Sequence, residues 1–175
     1  MLTLLRNLLN ATPSKEVHAT YIALVNQARH PFFYESLGVP DTLDGRFELI
    51  ILHLFLLQHR LLTAGDDFSR ELSELFFADM DRSLREIGVA DTGVRYRIKA
   101  MAKAYHGRLQ AYSAASSDAE LLCPALARNL YGTVAEGSTD NLARAAAYVA
   151  AMQAALAATD DATIAAGGFA WPQPG

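Results

Sequence analysis

A single cysteine, Cys123, stands in the 175 residues. It excludes a disulfide framework and a zinc site built on several cysteines, and reads as a small buried apolar residue. Charge is also scarce, at 19% Asp, Glu, Lys and Arg against the usual roughly 25%. At a net charge of −4 the chain has no basic excess with which to bind nucleic acid in bulk, so DNA is not an expected partner. Valine and isoleucine number only seven and six, too few for a sheet-rich protein. There is no long apolar run either. The stretch Phe47 to Leu57 is broken by Glu48 and His53, well short of the roughly 20 residues that span a bilayer. The first ten residues are apolar, with one Arg and no small-residue cleavage site, so they make a poor secretory signal. Glycine-rich phosphate loops, GxSxG and a dinucleotide fingerprint are likewise missing.

What is plentiful is alanine, 31 residues, and leucine, 25, both strong helix formers. The pattern predicts an all-α, single-domain bundle of about six helices spanning 1–175, with a central apolar helix and a non-helical tail at 167–175. Residues 1–12 offer a short N-terminal helix with a Leu face. Pro13 opens a helix over 14–29, which His30-Pro31 ends, because a residue before proline avoids helical backbone. Phe32 to Val39 is an aromatic segment that turns at Gly38. Asp41 or Thr42 caps a helix over 42–63, apolar nearly all round and therefore central. A third helix runs from a cap at Asp66 or Asp67 to Ile87, with Arg70–Glu74, Asp81–Arg85 and Arg82–Glu86 at i,i+4, and Gly88 stops it. Asp91-Thr92-Gly93 caps a fourth over 93–115. A fifth, 118–131, has Pro124 in its early turns, where a kink or late start is expected. Thr139 or Asp140 caps an Ala-rich sixth helix to Ala158.

Five histidines invite a metal search, but none stands in HExxH or in the helical diiron spacing. His53 and His59, six apart, face different ways. No metal or cofactor is called for, and no catalytic residues emerge. Asp79 and Asp81 diverge by about 200° on a helix, so they do not make an acid–base pair. Arg46, His53 and Arg60 form one polar line (i, i+7, i+14) along the apolar helix, which offers pairing with Asp79 or Asp81. His53 itself reads first as a half-buried side chain bonded to a neighbouring carboxylate or carbonyl; the alternatives are a pocket for haem or another small ligand, or a polar contact to a bound partner. On the fourth helix Arg95, Lys99, Lys103 and His106 form a basic stripe within about 80°, opposite the apolar Ile98, Met101, Tyr105, Leu109 and Tyr112. That stripe suits a solvated face or a weak, salt-sensitive dock for anionic lipid or ribosomal RNA.

At Gly38-Val-Pro-Asp-Thr-Leu-Asp-Gly-Arg-Phe47, leading to Leu52-His53 and Arg60, the sequence resembles the ubiquinol-cytochrome c chaperone family. The resemblance continues through Phe76-Phe-Ala-Asp-Met-Asp-Arg82, Gly88-Val89 and Ala104-Tyr-His-Gly-Arg-Leu-Gln-Ala-Tyr112. It ends with Leu126-Ala-Arg-Asn-Leu-Tyr-Gly132 and Phe169-Ala-Trp-Pro172. It implies a non-enzymatic assembly chaperone that binds newly made cytochrome b for respiratory complex III. Mitochondrial relatives work with a small partner protein near the ribosomal tunnel exit. Without a presequence this chain looks like the bacterial form, cytoplasmic and peripheral to the inner membrane. Under the resemblance Asp41, Arg46, His53, Arg60, Asp79 and Asp81 hold the scaffold or line the partner surface.

Overall fold

The computed structural model describes residues 13–61, 66–116, 118–132 and 139–172. The expected helix within 1–12 lies outside these, as do Gly65 and the last three residues of the tail. Among the described residues the protein is all-α, with helices of 12 to 25 residues and two short ones.

Helix α1 (Lys15–Ala28) begins where the Ser14 hydroxyl accepts from the Val17 N–H at 3.2 Å, satisfying one of the free amides of a first turn. The aromatic segment after it opens as a short helix. Pro31 sits in the first turn of a short helix α2 (Pro31–Glu35), and the His30 ring accepts from the Phe32 N–H. Proline at that position loses no helical hydrogen bond. Gly38 then turns the chain at φ +67°.

Helix α3 (Leu43–Leu61) is the bundle's axis. Every side chain from Phe47 to Gln58 is buried. Its start is fixed twice: the Thr42 hydroxyl accepts from the Gly45 N–H at 3.1 Å, and the Pro40 carbonyl lies so close to Gly45 that a Cβ there would sit 2.0 Å from it. Thus Thr42 is the cap, and Asp41 pairs with Arg46 at 2.7 Å instead.

Helix α4 (Asp66–Glu86) starts at Asp66 itself and stops at Gly88, φ +85°. There the Val89 N–H bonds back to the Leu84 carbonyl at 3.0 Å, the closure that a left-handed glycine permits. Two of its expected ion pairs form, Arg70–Glu74 and Asp81–Arg85; Arg82 turns toward Asp79 at 3.7 Å rather than Glu86. Helix α5 (Asp91–Ala115) starts earlier than expected. Asp91 is in its first turn and pairs with Arg85, and no side chain caps it. Helix α6 (Ala119–Leu130) begins at the Asp118 cap and continues through Pro124 instead of starting after it. Cys123 is only half-buried. Helix α7 (Thr139–Ala157) ends in a turn that leads to an unforeseen short helix α8 (Asp161–Ala165), capped by Asp160.

Helix α3 packs against α1, α4, α5, α6 and α7, while α8 packs on α1. Each fully buried Leu, Ile or Phe stabilises the fold by about 1.5–3 kcal/mol relative to exposure, and α3 contributes more of them than any other helix. No described helix is long and apolar enough to cross a membrane.

Candidate functional site

The polar line of α3 does not engage Asp79 or Asp81. Those two carboxylates diverge, as their spacing requires. Asp79 accepts from the Tyr21 hydroxyl at 2.9 Å and so ties α4 to α1, whereas Asp81 is held by Arg85. Arg60 instead closes the far end of α7. It donates to the Leu156 carbonyl at 3.0 Å and the Thr159 carbonyl at 2.8 Å, and meets the Asp161 carboxylate at 2.5 Å. A guanidinium donating to carbonyls at a helix end is a C-terminal cap, so Arg60 fixes the turn between α7 and α8.

His53 is wholly buried, 0% exposed, with Phe33, Tyr148 and Trp171 around its ring. Nδ1 lies 2.7 Å from the Leu49 carbonyl and Nε2 lies 2.8 Å from the Tyr148 hydroxyl. Gln27 Nε2 donates to the Tyr148 oxygen at 3.0 Å and to the Pro172 carbonyl at 3.2 Å. A carbonyl only accepts, so Nδ1 carries the proton and Nε2 accepts from Tyr148. Burial pushes the imidazole down to about 4, partly offset by the Leu49 carbonyl. The ring is therefore neutral, with both nitrogens occupied. The expected bond to a carbonyl is present, but His53 is fully rather than half buried, and in this arrangement neither ring nitrogen is free to ligate haem. His53 is a core polar pin that latches the tail to α3.

An open cleft of about 370 Å³ lies elsewhere, between the start of α3, the middle of α5 and the end of α6. Asp44, Phe47, Glu48, Met101, Arg108, Arg128, Asn129 and Leu130 are among its walls. Its centre is an ion pair: Glu48, 8% exposed, accepts three hydrogen bonds from Arg108 at 2.6–3.0 Å. Burial pushes the Glu48 carboxyl up and Arg108 pulls it back, with burial the larger effect. A carboxylate taken this far from water requires such a partner. Beside it the buried Asn129 amide and Tyr112 hydroxyl face each other; burial pushes the Tyr112 hydroxyl up and its contact with Asn129 pulls it back, and among the described residues neither the Asn129 amide nitrogen nor the Tyr112 oxygen has another partner.

Sequence reasoning did not single out this cleft, yet it was within reach. Glu48 is a carboxylate inside an otherwise apolar run and therefore needs a cation. Three of the segments that carry the family resemblance, 38–47, 104–112 and 126–132, meet here through Asp44, Phe47, Arg108, Arg128 and Asn129. Of the expected candidates, none of Asp41, Arg46, His53, Arg60, Asp79 and Asp81 lines it. Arg95, Lys99, Lys103 and His106 are all exposed on the outer face of α5. Among the described residues no cluster of His, Cys, Asp and Glu is arranged to hold a metal ion.

The comparisons with known proteins agree with one another. A family model described as ubiquinol-cytochrome C chaperone matches residues 35–171. The crystal structure of the Cbp3 homolog from Brucella abortus is 35% identical in sequence, covering 91% of this chain and 90% of that one at a TM-score of 0.79. No curated protein sequence matches the chain.

Proposed function

The chain belongs to the ubiquinol-cytochrome C chaperone family, and from that premise we propose that it is a non-enzymatic assembly chaperone for respiratory complex III whose client is newly made cytochrome b. The observation that carries this reading is the cleft. Three separated family segments converge on it, and its walls set Phe47, Met101 and Leu130 around a buried ion pair. An apolar groove with a few fixed polar groups suits a segment of an unassembled membrane protein, whose apolar side chains need cover and whose occasional polar group needs a partner. Such a client also places the chain at the cytoplasmic surface of the inner membrane. A small partner assembly factor and contact with the ribosome belong to the same reading by analogy with mitochondrial relatives.

Site-directed photo-crosslinking tests it. A photoreactive residue at Met101 or Ala104 should capture newly synthesised cytochrome b, and one at the exposed Glu16 on α1 should not. Equal capture from both faces, or none from the cleft, would overturn the assignment.

A further inference from the structure

The face of α5 that points away from the cleft has its own chemistry. From Thr92 to Ala115 the helix contains no Asp or Glu, yet it carries five of the chain's 15 Lys and Arg. Arg108 is neutralised by Glu48. Among the described residues Arg95, Arg97, Lys99 and Lys103 join no ion pair. Arg95, Lys99, Lys103 and His106 fall within about 80° of one another and span about 17 Å of axis at 1.5 Å per residue. On an otherwise acidic molecule this is an unneutralised basic line.

Its neighbours narrow the partner. Tyr96, 77% exposed, stands between Arg95 and Lys99, and Ile87, 57% exposed, precedes the helix. Gly107 has no atom within 4 Å of where a Cβ would stand, so the helix surface there is low and open. An exposed helix face with its cations within about 80° of one another, a nearby exposed aromatic and an open glycine fits a plane. A nucleic-acid strand calls for a groove and several stacking platforms, which this face does not offer. Tyrosine and snorkelling lysines are side chains that settle at a lipid headgroup layer.

We propose that the outer face of α5 docks the protein on an anionic phospholipid surface through Arg95, Tyr96, Lys99 and Lys103. This rests on the membrane-surface location proposed above, while the vesicle test below reads docking without the client. Ala100 lines the cleft and is itself exposed, at the boundary between the two faces of one helix. Docking therefore tethers the chain at the bilayer surface with the cleft on the side of α5 turned away from it.

Vesicle flotation tests the proposal with the full chain. Partition into vesicles containing 30% phosphatidylglycerol should be measurable, weaken with salt, and be absent for pure phosphatidylcholine. Each basic residue near such a surface strengthens binding roughly five-fold, so Lys99→Ala/Lys103→Ala should weaken it about 25-fold. The circular dichroism melt of this exposed double variant should be unchanged, which separates lost docking from lost fold. Absence of partition, partition unchanged in the double variant, or preferential binding to ribosomal RNA over vesicles would each overturn the proposal. Loss of crosslinking to cytochrome b would leave the vesicle result standing.

Discussion

Single residues divide into pins of the fold and walls of the cleft, and pH separates them. His53 is neutral in the folded chain down to about pH 4, while in the unfolded chain it titrates near 6.5. As pH falls below 6.5 the unfolded chain takes a proton that the folded one refuses. Stability should therefore drop by about 3 kcal/mol between pH 6.5 and 4 and level off below. Denaturation midpoints across this range should fall in the parent and be nearly flat, from this source, in His53→Gln. The Glu48–Arg108 pair predicts a different pattern. Arg108→Met leaves a buried carboxylate without its partner, and should destabilise by about 3–5 kcal/mol. The double variant Glu48→Leu/Arg108→Met should recover much of that loss, as a thermodynamic cycle would measure. The polar character of both positions was visible in the sequence. Their partners were not, because Tyr148 lies 95 residues from His53 and Arg108 lies 60 from Glu48, and helical periodicity carries no information across helices.

The helices themselves were legible because capping and periodicity are local. The centrality of α3 followed from an apolar pattern that leaves no solvent face, and Gly88 announced the end of α4. Two elements escaped. Helix α8 is five residues long, too short for any period to register, and α2 is a single turn set by Pro31. The glycines supply an element-scale test in opposite directions. Gly45→Ala would push a methyl into the Pro40 carbonyl and should destabilise by about 1–3 kcal/mol. Gly107→Ala meets nothing and should stabilise α5 by roughly 0.5–1 kcal/mol through helix propensity alone. Thermal melts of the two variants should move apart. The tail is a further element whose role came out of contacts: Phe169 is buried, and Trp171 packs on His53 at 5.6 Å between ring centres. Ending the chain after Ala166 should lower stability by the few kcal/mol, about 3–5, expected when a buried aromatic is removed; an unchanged midpoint would show the tail to be dispensable.

Over the whole molecule, low charge and an alanine and leucine surplus are explained first by a bundle wrapped around one apolar helix. They do not by themselves indicate a chaperone. The functional signal is the convergence of separated sequence segments on a cleft, with α5 presenting that cleft on one side and an unneutralised basic line on the other. Among the described residues the buried histidine is locked in hydrogen bonds and the two aspartates of α4 point apart. The central claim is therefore one about biogenesis. Deleting the gene and quantifying cytochrome b and assembled complex III tests it most directly. Both should fall while the cytochrome b transcript is unchanged, and normal levels of the two would contradict the account.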